Sequence, residues 1–221
     1  MASAAGSVDR RGEILSAAER VFDARGYAAA TIDAVAEEAG IAKGSIYNYF
    51  KSKQDLFTQV FTESFAVNEA QADRLIGEDL SAGEKLERLL DDWSERMAHY
   101  KRIGRLMLEC WAVAAREDHV GALAGVFQEA HSRWRQRIGA IVAQGIESGE
   151  FSPQIDPSIA ASLIMSLGNG LTVQSILDVG VTLDEELLAA LKGVVLTSLS
   201  AGAGRRDREP WDTPHDGTEA K

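Results

Sequence analysis

The chain is poor in cysteine, poor in proline and has no surplus of basic charge. Its single cysteine, Cys110, excludes an intramolecular disulfide and suits a reducing compartment. Of four prolines, two, Pro153 and Pro157, bracket one loop, which leaves the long stretches before it free of the strongest helix breaker. Lys and Arg number 23 against 34 Asp and Glu, a formal net charge of −11. That balance argues against a protein that wraps nucleic acid over its whole surface. It leaves room for a local site, because the field at a contact is set by nearby charges. No sustained alternation of apolar and polar residues marks a strand, and no internal repeat is visible. The opening "MASAAGSVDRRGE" lacks the apolar stretch of a secretory signal, so a cytoplasmic location is expected.

With 221 residues, 45% of them hydrophobic and 26% charged, the chain can bury a sizeable core. The apolar pattern is helical almost throughout, and an all-α fold is expected. Ile14, Leu15, Ala18, Val21 and Phe22 recur at helical spacing, and Gly26 is a C-terminal stop signal. Thr31 can cap a second, short helix carrying Ile32, Val35 and Ala36, which Gly40 ends. A third short helix is expected over Ala42–Phe50. Ser52 and Asp55 have capping-box spacing and open a long fourth helix with Leu56, Val60 and Phe61 on one face. Further helices are expected near 82–99, 102–116, 118–148, 157–178 and 184–200.

The acidity is unevenly placed. Residues 1–57 hold seven Lys/Arg and eight Asp/Glu, a balance of −1, and the remaining residues hold sixteen and twenty-six, a balance of −10. Within the first part, "IAKGSIYNYFKSKQ" at 41–54 carries three lysines and no acid. Two short helices around a Gly-containing turn make a helix-turn-helix. On a helical wheel of 42–50, Ile46 and Phe50 face inward. Gly44, Ser45 and Asn48 face outward, Tyr47 and Tyr49 flank them, and Lys43 sits in the first turn. Small, hydrogen-bonding and free of negative charge, this outward face suits a DNA groove. Gly44 costs about 1 kcal/mol of helix stability against alanine, and close approach to DNA is a reason to keep it.

At these residues the chain resembles the TetR/AcrR family of bacterial transcription regulators. "EILSAAERVFDARGYAAATIDAVAEEAGIAKGSIYNYFKSKQDLF", roughly residues 11 to 57, carries the family's DNA-binding landmarks in order. More loosely, "GIESGEF…IDP…A" and the apolar helix after it resemble the regulatory half. The resemblance implies a three-helix helix-turn-helix domain followed by a larger helical regulatory and dimerisation domain. It implies phosphate contacts from Thr31, Tyr47, Tyr49 and Lys53, and groove contacts from Lys43, Gly44, Ser45 and Asn48. Ala42 stands where the family often has serine or threonine, so a cap and a phosphate contact are missing. The expected organisation is a disordered N-terminus at 1–9, the DNA-binding domain at 10–56, the ligand-binding and dimerisation domain at 57–200, and a disordered tail at 201–221. The implied partners are a pseudo-palindromic double-stranded DNA operator, a small-molecule effector and a second copy of the chain, with no membrane and no cofactor. The implied activity is that of a repressor released by a small apolar ligand.

Candidate ligand contacts are Trp93, Met97, Tyr100, Met107, Trp111, Phe127, Trp134 and Asn169, because pockets between helices are built from such side chains. Core packing is the competing role for each. Asn169 lies in the charge-free run Ile159–Leu177 and can bond a ligand, a backbone group or a dimer mate. A second charge-free run, Gly193–Gly204, points with the first to a dimer interface. Ile159–Leu177 is also near membrane-spanning length, but its Ser, Thr, Asn and Gln residues are too polar for a span. None of His99, His119, His131 and His215 falls in a metal-ligand motif. A competing reading is a helical small-molecule-binding protein or enzyme whose helix-turn-helix is not used for DNA. No nucleophile–base pair or phosphate loop supports it.

Overall fold

The computed structural model describes residues 2–116 and 122–200. The expected tail at 201–221 lies outside them. Helix α1 (Ala2–Ala29) begins where a disordered segment was expected at 1–9. It buries Ile14, Leu15, Ala18, Val21 and Phe22. Gly26, at φ 72° and ψ 164°, interrupts it at the expected stop. Helix α2 (Ile32–Glu38) starts at Thr31, whose Oγ1 accepts the Ala34 N–H at 3.1 Å. It ends in a Schellman motif at Gly40, which adopts φ 65°. The Gly40 N–H donates to the Glu37 carbonyl at 3.1 Å, and the Ile41 N–H donates to the Ala36 carbonyl at 2.9 Å.

Helix α3 (Lys43–Ile46) is shorter than the expected Ala42–Phe50. Ala42 supplies no side-chain cap, Gly44 weakens the helix, and Tyr47 to Tyr49 form a turn that carries Phe50 into the core. Helix α4 (Lys53–Ile76) opens on Ser52, whose Oγ accepts the Asp55 N–H at 3.0 Å. The Asp55 carboxylate reaches back to the Lys51 N–H at 2.7 Å. Phe22, Val35, Ile46, Phe50, Leu56 and Phe57 make the centre of this first core.

The larger part is also helical, and no strand occurs among the described residues; Phe151 and Ser200 form one isolated bridge. Helix α5 (Ala82–Arg116) is continuous where two helices, 82–99 and 102–116, were expected. No proline interrupts it, and Gly104 alone does not end it. Glu150 caps its start, accepting the Ala82 and Gly83 N–H groups at 3.0 and 2.9 Å. A Cβ on Gly83 would lie 2.5 Å from that carboxylate, so a larger residue there would displace the capping group. Helices α6 (Ala122–Glu147) and α7 (Pro157–Leu177) pack with α5, and α8 (Glu185–Leu199) packs on α5. Leu86, Ile141, Val142, Phe151, Ala161 and Val195 centre this second core.

By length and composition α7 could cross a membrane. Here it lies against α5 and α6 on one side. The other side leaves Ile159, Leu163, Leu167 and Leu177 exposed, beside Val179 and, on α8, Val194.

A cluster of four charges ties α4 to α6. Glu69 is buried, and Arg133 Nε donates to both its oxygens at 3.0 and 2.8 Å. Arg137 pairs with Glu69 at 3.4 Å and binds Asp73 through two 2.7 Å bonds. The Arg137 bonds hold the Asp73 carboxyl below its ordinary range. Each helix supplies its pair at i, i+4, so the two rows of charge face one another. Glu69→Gln keeps the shape but leaves two guanidinium groups without their buried anion. It should lower folding stability by about 1–3 kcal/mol in urea titration, with unchanged helix content in the native baseline.

Candidate nucleic-acid interface and effector cavity

The outward face of α3 is held from beneath. Ile46 and Phe50 are fully buried, so their neighbours are forced outward. Lys43, Gly44, Tyr47 and Asn48 are exposed, Ser45 and Tyr49 are half-buried, and Thr31 is exposed at the adjoining start of α2. Tyr49 leans on the core beside Phe50, with ring centroids 6.5 Å apart. Nothing lies within 4 Å of a Cβ built on Gly44, so the fold itself does not require glycine there. Lys43 Nζ donates to Asp33 at 2.8 Å, and that bond raises the lysine's pKa above its ordinary value. Both groups are exposed, so a phosphate can compete for the ammonium.

Lys53 opens α4, as expected, and its side chain is engaged within the fold. Its ammonium donates to the carbonyls of Tyr27, Ala28 and Ala30 at 2.8, 3.4 and 3.0 Å and lies 4.5 Å from the centre of the Tyr27 ring. These bonds match its three donors and close the C-terminal end of α1. In this arrangement it positions α1 against α4. Lys51, not singled out by the sequence reading, is the exposed lysine nearest it in the chain.

A cavity of about 180 Å³ opens among α4 to α8. Trp93, Trp111, Phe127, Trp134 and Asn169 line it, as the sequence suggested. The side chains of Met97, Tyr100 and Met107 lie outside the described residues, as does that of Cys110. Sequence reasoning missed Phe65, Asn68, Arg96, His131 and Thr172. A signal was available: Leu86, Leu90, Trp93 and Arg96 form one helical stripe, as do Phe127, His131, Trp134 and Ile138. At the rim, His131 Nδ1 lies 3.2 Å from the Phe127 carbonyl and Nε2 lies 3.4 Å from Asn169 Nδ2. Thr172 Oγ1 donates to the Gly168 carbonyl at 2.8 Å.

Aromatic rings run from this cavity to the DNA-binding core. Phe65 meets Phe127 edge-to-face at 5.4 Å, and Phe127 meets Phe61 at 6.1 Å. Phe61 meets Phe57 at 5.2 Å, and Phe57 meets Phe22 at 5.0 Å and Tyr27 at 4.4 Å. Tyr27 is the residue that Lys53 holds.

Known proteins share this arrangement. The family model for bacterial regulatory proteins of the tetR family matches residues 14–60, and that for the C-terminal part of BetI-type transcriptional repressors matches residues 82–200. The HTH-type transcriptional regulator YhgD of Bacillus subtilis (strain 168) is 30% identical over 161 residues, covering 73% of this chain and 81% of its own length. The transcriptional regulator FadR from Bacillus subtilis, solved with stearoyl-CoA, aligns with a TM-score of 0.66 at 24% identity, over 86% of this chain and 97% of its own. A transcriptional regulator from Saccharomonospora viridis, solved with choline, aligns with a TM-score of 0.76 at 21% identity, over 87% of this chain and 98% of its own. With a helix-turn-helix at one end, a helical cavity-bearing domain at the other and both family models matched, this chain belongs to the TetR family of bacterial transcriptional regulators.

Proposed function

We propose that the chain acts as a homodimeric operator-binding repressor, released when a small ligand fills the cavity among α4 to α8. The observation that carries this reading is α4 itself. Its first residue, Lys53, braces the helix-turn-helix, and its Phe65 and Asn68 line the cavity. A ligand that repositions Phe65 or Phe127 acts on a helix whose other end sets the attitude of α3. In a dimer, a change in that attitude alters the separation of two recognition helices and so operator affinity. A DNA-binding regulator works where the chromosome lies, which in a bacterium is the cytoplasm.

On the DNA side, Lys43, Lys51, Thr31, Tyr47 and Tyr49 are the proposed phosphate contacts, and Gly44, Ser45 and Asn48 the proposed groove contacts. Lys53 supports them from within. The experiment is selection of genomic fragments by the purified protein, followed by retardation of the selected DNA at several salt concentrations. Failure to retard any selected fragment would favour a helical binding protein or enzyme that makes no use of its helix-turn-helix. The named relatives are transcriptional regulators, which weighs against an enzyme.

The dimer is proposed to form through the exposed apolar faces of α7 and α8. Those faces carry Leu163 at 61% exposure and Val194 at 60%, values that a solvated helix gives to polar residues.

Gly44→Ala should raise folding stability by up to about 1 kcal/mol, since the new methyl meets open space and favours helix. The same change should weaken operator binding at least tenfold, and Lys43→Ala should reduce the slope of log K against log salt by about 1.8 over two protomers. Unchanged affinity and slope in both variants would move the DNA face elsewhere. For the dimer, Leu163→Glu with Leu167→Glu should yield folded monomer by light scattering at micromolar concentration. A dimer retained by that double variant would place the seam on another surface.

A further inference from the structure

Resting on the reading of the cavity as the effector site, we propose that it takes a small organic carboxylate. The ligand would be a ring or short chain of about six to ten non-hydrogen atoms, comparable to what engineered cavities near this size hold, with its anionic group on Arg96. Charge decides the sign. Among the described residues lining the cavity, Arg96 alone carries a formal charge, and no Asp or Glu lines it. The Arg96 side chain is only 21% exposed. Among the described residues its ion pair is to Asp92 at 3.9 Å, on the next turn of the same helix. Asp92 also accepts a 3.1 Å bond from Gln71. Arg96 thus lines the cavity with only that long ion pair among the described residues, and a carboxylate matches its fork of donors with two parallel bonds.

Shape decides the rest. Phe65, Trp93, Trp111, Phe127 and Trp134 supply flat apolar walls that suit an aromatic ring or an aliphatic chain. The volume of about 180 Å³ is near that of an engineered cavity of about 150 Å³ that holds benzene, and well below the range of 300–1,000 Å³ typical of larger ligands. A volume of this size favours a short chain over a long acyl chain. Aromatic walls of this kind also attract quaternary ammonium groups. Arg96, in the same wall, repels them. His131 and Asn169 at the rim offer hydrogen bonds to a ring substituent.

The test is titration calorimetry of the full chain with benzoate, hexanoate, benzamide, choline and palmitate, repeated on Arg96→Gln and Arg96→Lys. The proposal expects benzoate or hexanoate to bind one per chain and benzamide to bind at least tenfold more weakly than benzoate. Arg96→Gln should weaken the carboxylates by about ten- to a hundredfold while leaving benzamide unchanged, and Arg96→Lys should recover part of the loss. The benzamide control separates lost charge from a damaged cavity. Tighter binding of choline than of either short carboxylate would overturn the proposal. So would preference for palmitate, carboxylate binding indifferent to Arg96→Gln, or binding of none of the five. Arg96-dependent carboxylate binding that leaves operator affinity unchanged would uphold the ligand assignment and contradict the effector reading instead.

Discussion

The packing of Phe57, Phe61 and Phe65 along one stripe of α4 is the constraint on which the other parts rest. The three rings recur at i, i+4 and i+8, so they project in one direction over three turns. At one end Phe57 meets Phe22 nearly perpendicularly, at 84°, inside the helix-turn-helix core. At the other, Phe65 meets Phe127 of α6 at 76° on the cavity wall. Such pairs contribute about 0.5–1.5 kcal/mol each beyond their buried area, and their edge-to-face geometry is directional. Phe127 belongs to the same buried cluster as Ile46 and Phe50. The DNA-binding and cavity-bearing parts thus share a core instead of being joined by a flexible linker. A close-packed core transmits displacement because it has no slack to absorb it.

The charges complement this apolar spine. Glu69 and Asp73 on α4, facing Arg133 and Arg137 on α6, fix the lateral position of α4 just beyond Phe65. At the opposite end, Lys53 fixes α4 to the close of α1. The rest of the molecule carries the acidity, ten of the eleven net negative charges falling after residue 57. In the proposed mode of binding, a phosphate backbone is repelled by that body and approaches α3, where residues 41–54 carry no acid.

What could be read from sequence was what local chemistry determines. Thr31, Gly40 and Ser52 cap or end helices through bonds that span at most five residues, and each does so. The all-α class followed from periodicity that no proline interrupts. The early end of α3 at Ile46 was not anticipated, although its local causes, the uncapped Ala42 and the weak helix former Gly44, stand in the sequence. What else escaped was set by distant partners. The bonds from the Lys53 ammonium to carbonyls more than twenty residues earlier in the chain are of this kind. The aromatic residues of the cavity were legible as a class. Arg96 and His131 stand on apolar stripes visible in the sequence, but that the two stripes face one cavity appears only in three dimensions.

In the proposed mechanism cavity and DNA face share one mechanical element, and thermodynamic linkage between ligand and operator reads it out. Operator affinity is measured without ligand and at saturating concentration of a compound found by thermal-shift screening, in the native chain and in Phe127→Leu. Saturation removes any effect of the substitution on ligand affinity itself. The account predicts that the compound weakens operator binding by about a hundredfold in the native chain, equivalent to about 2.7 kcal/mol of coupling. In Phe127→Leu, which breaks the ring contacts with Phe61 and Phe65, the factor should fall toward one. Equal operator affinity with and without compound in the native chain, or an undiminished factor in Phe127→Leu, would contradict it.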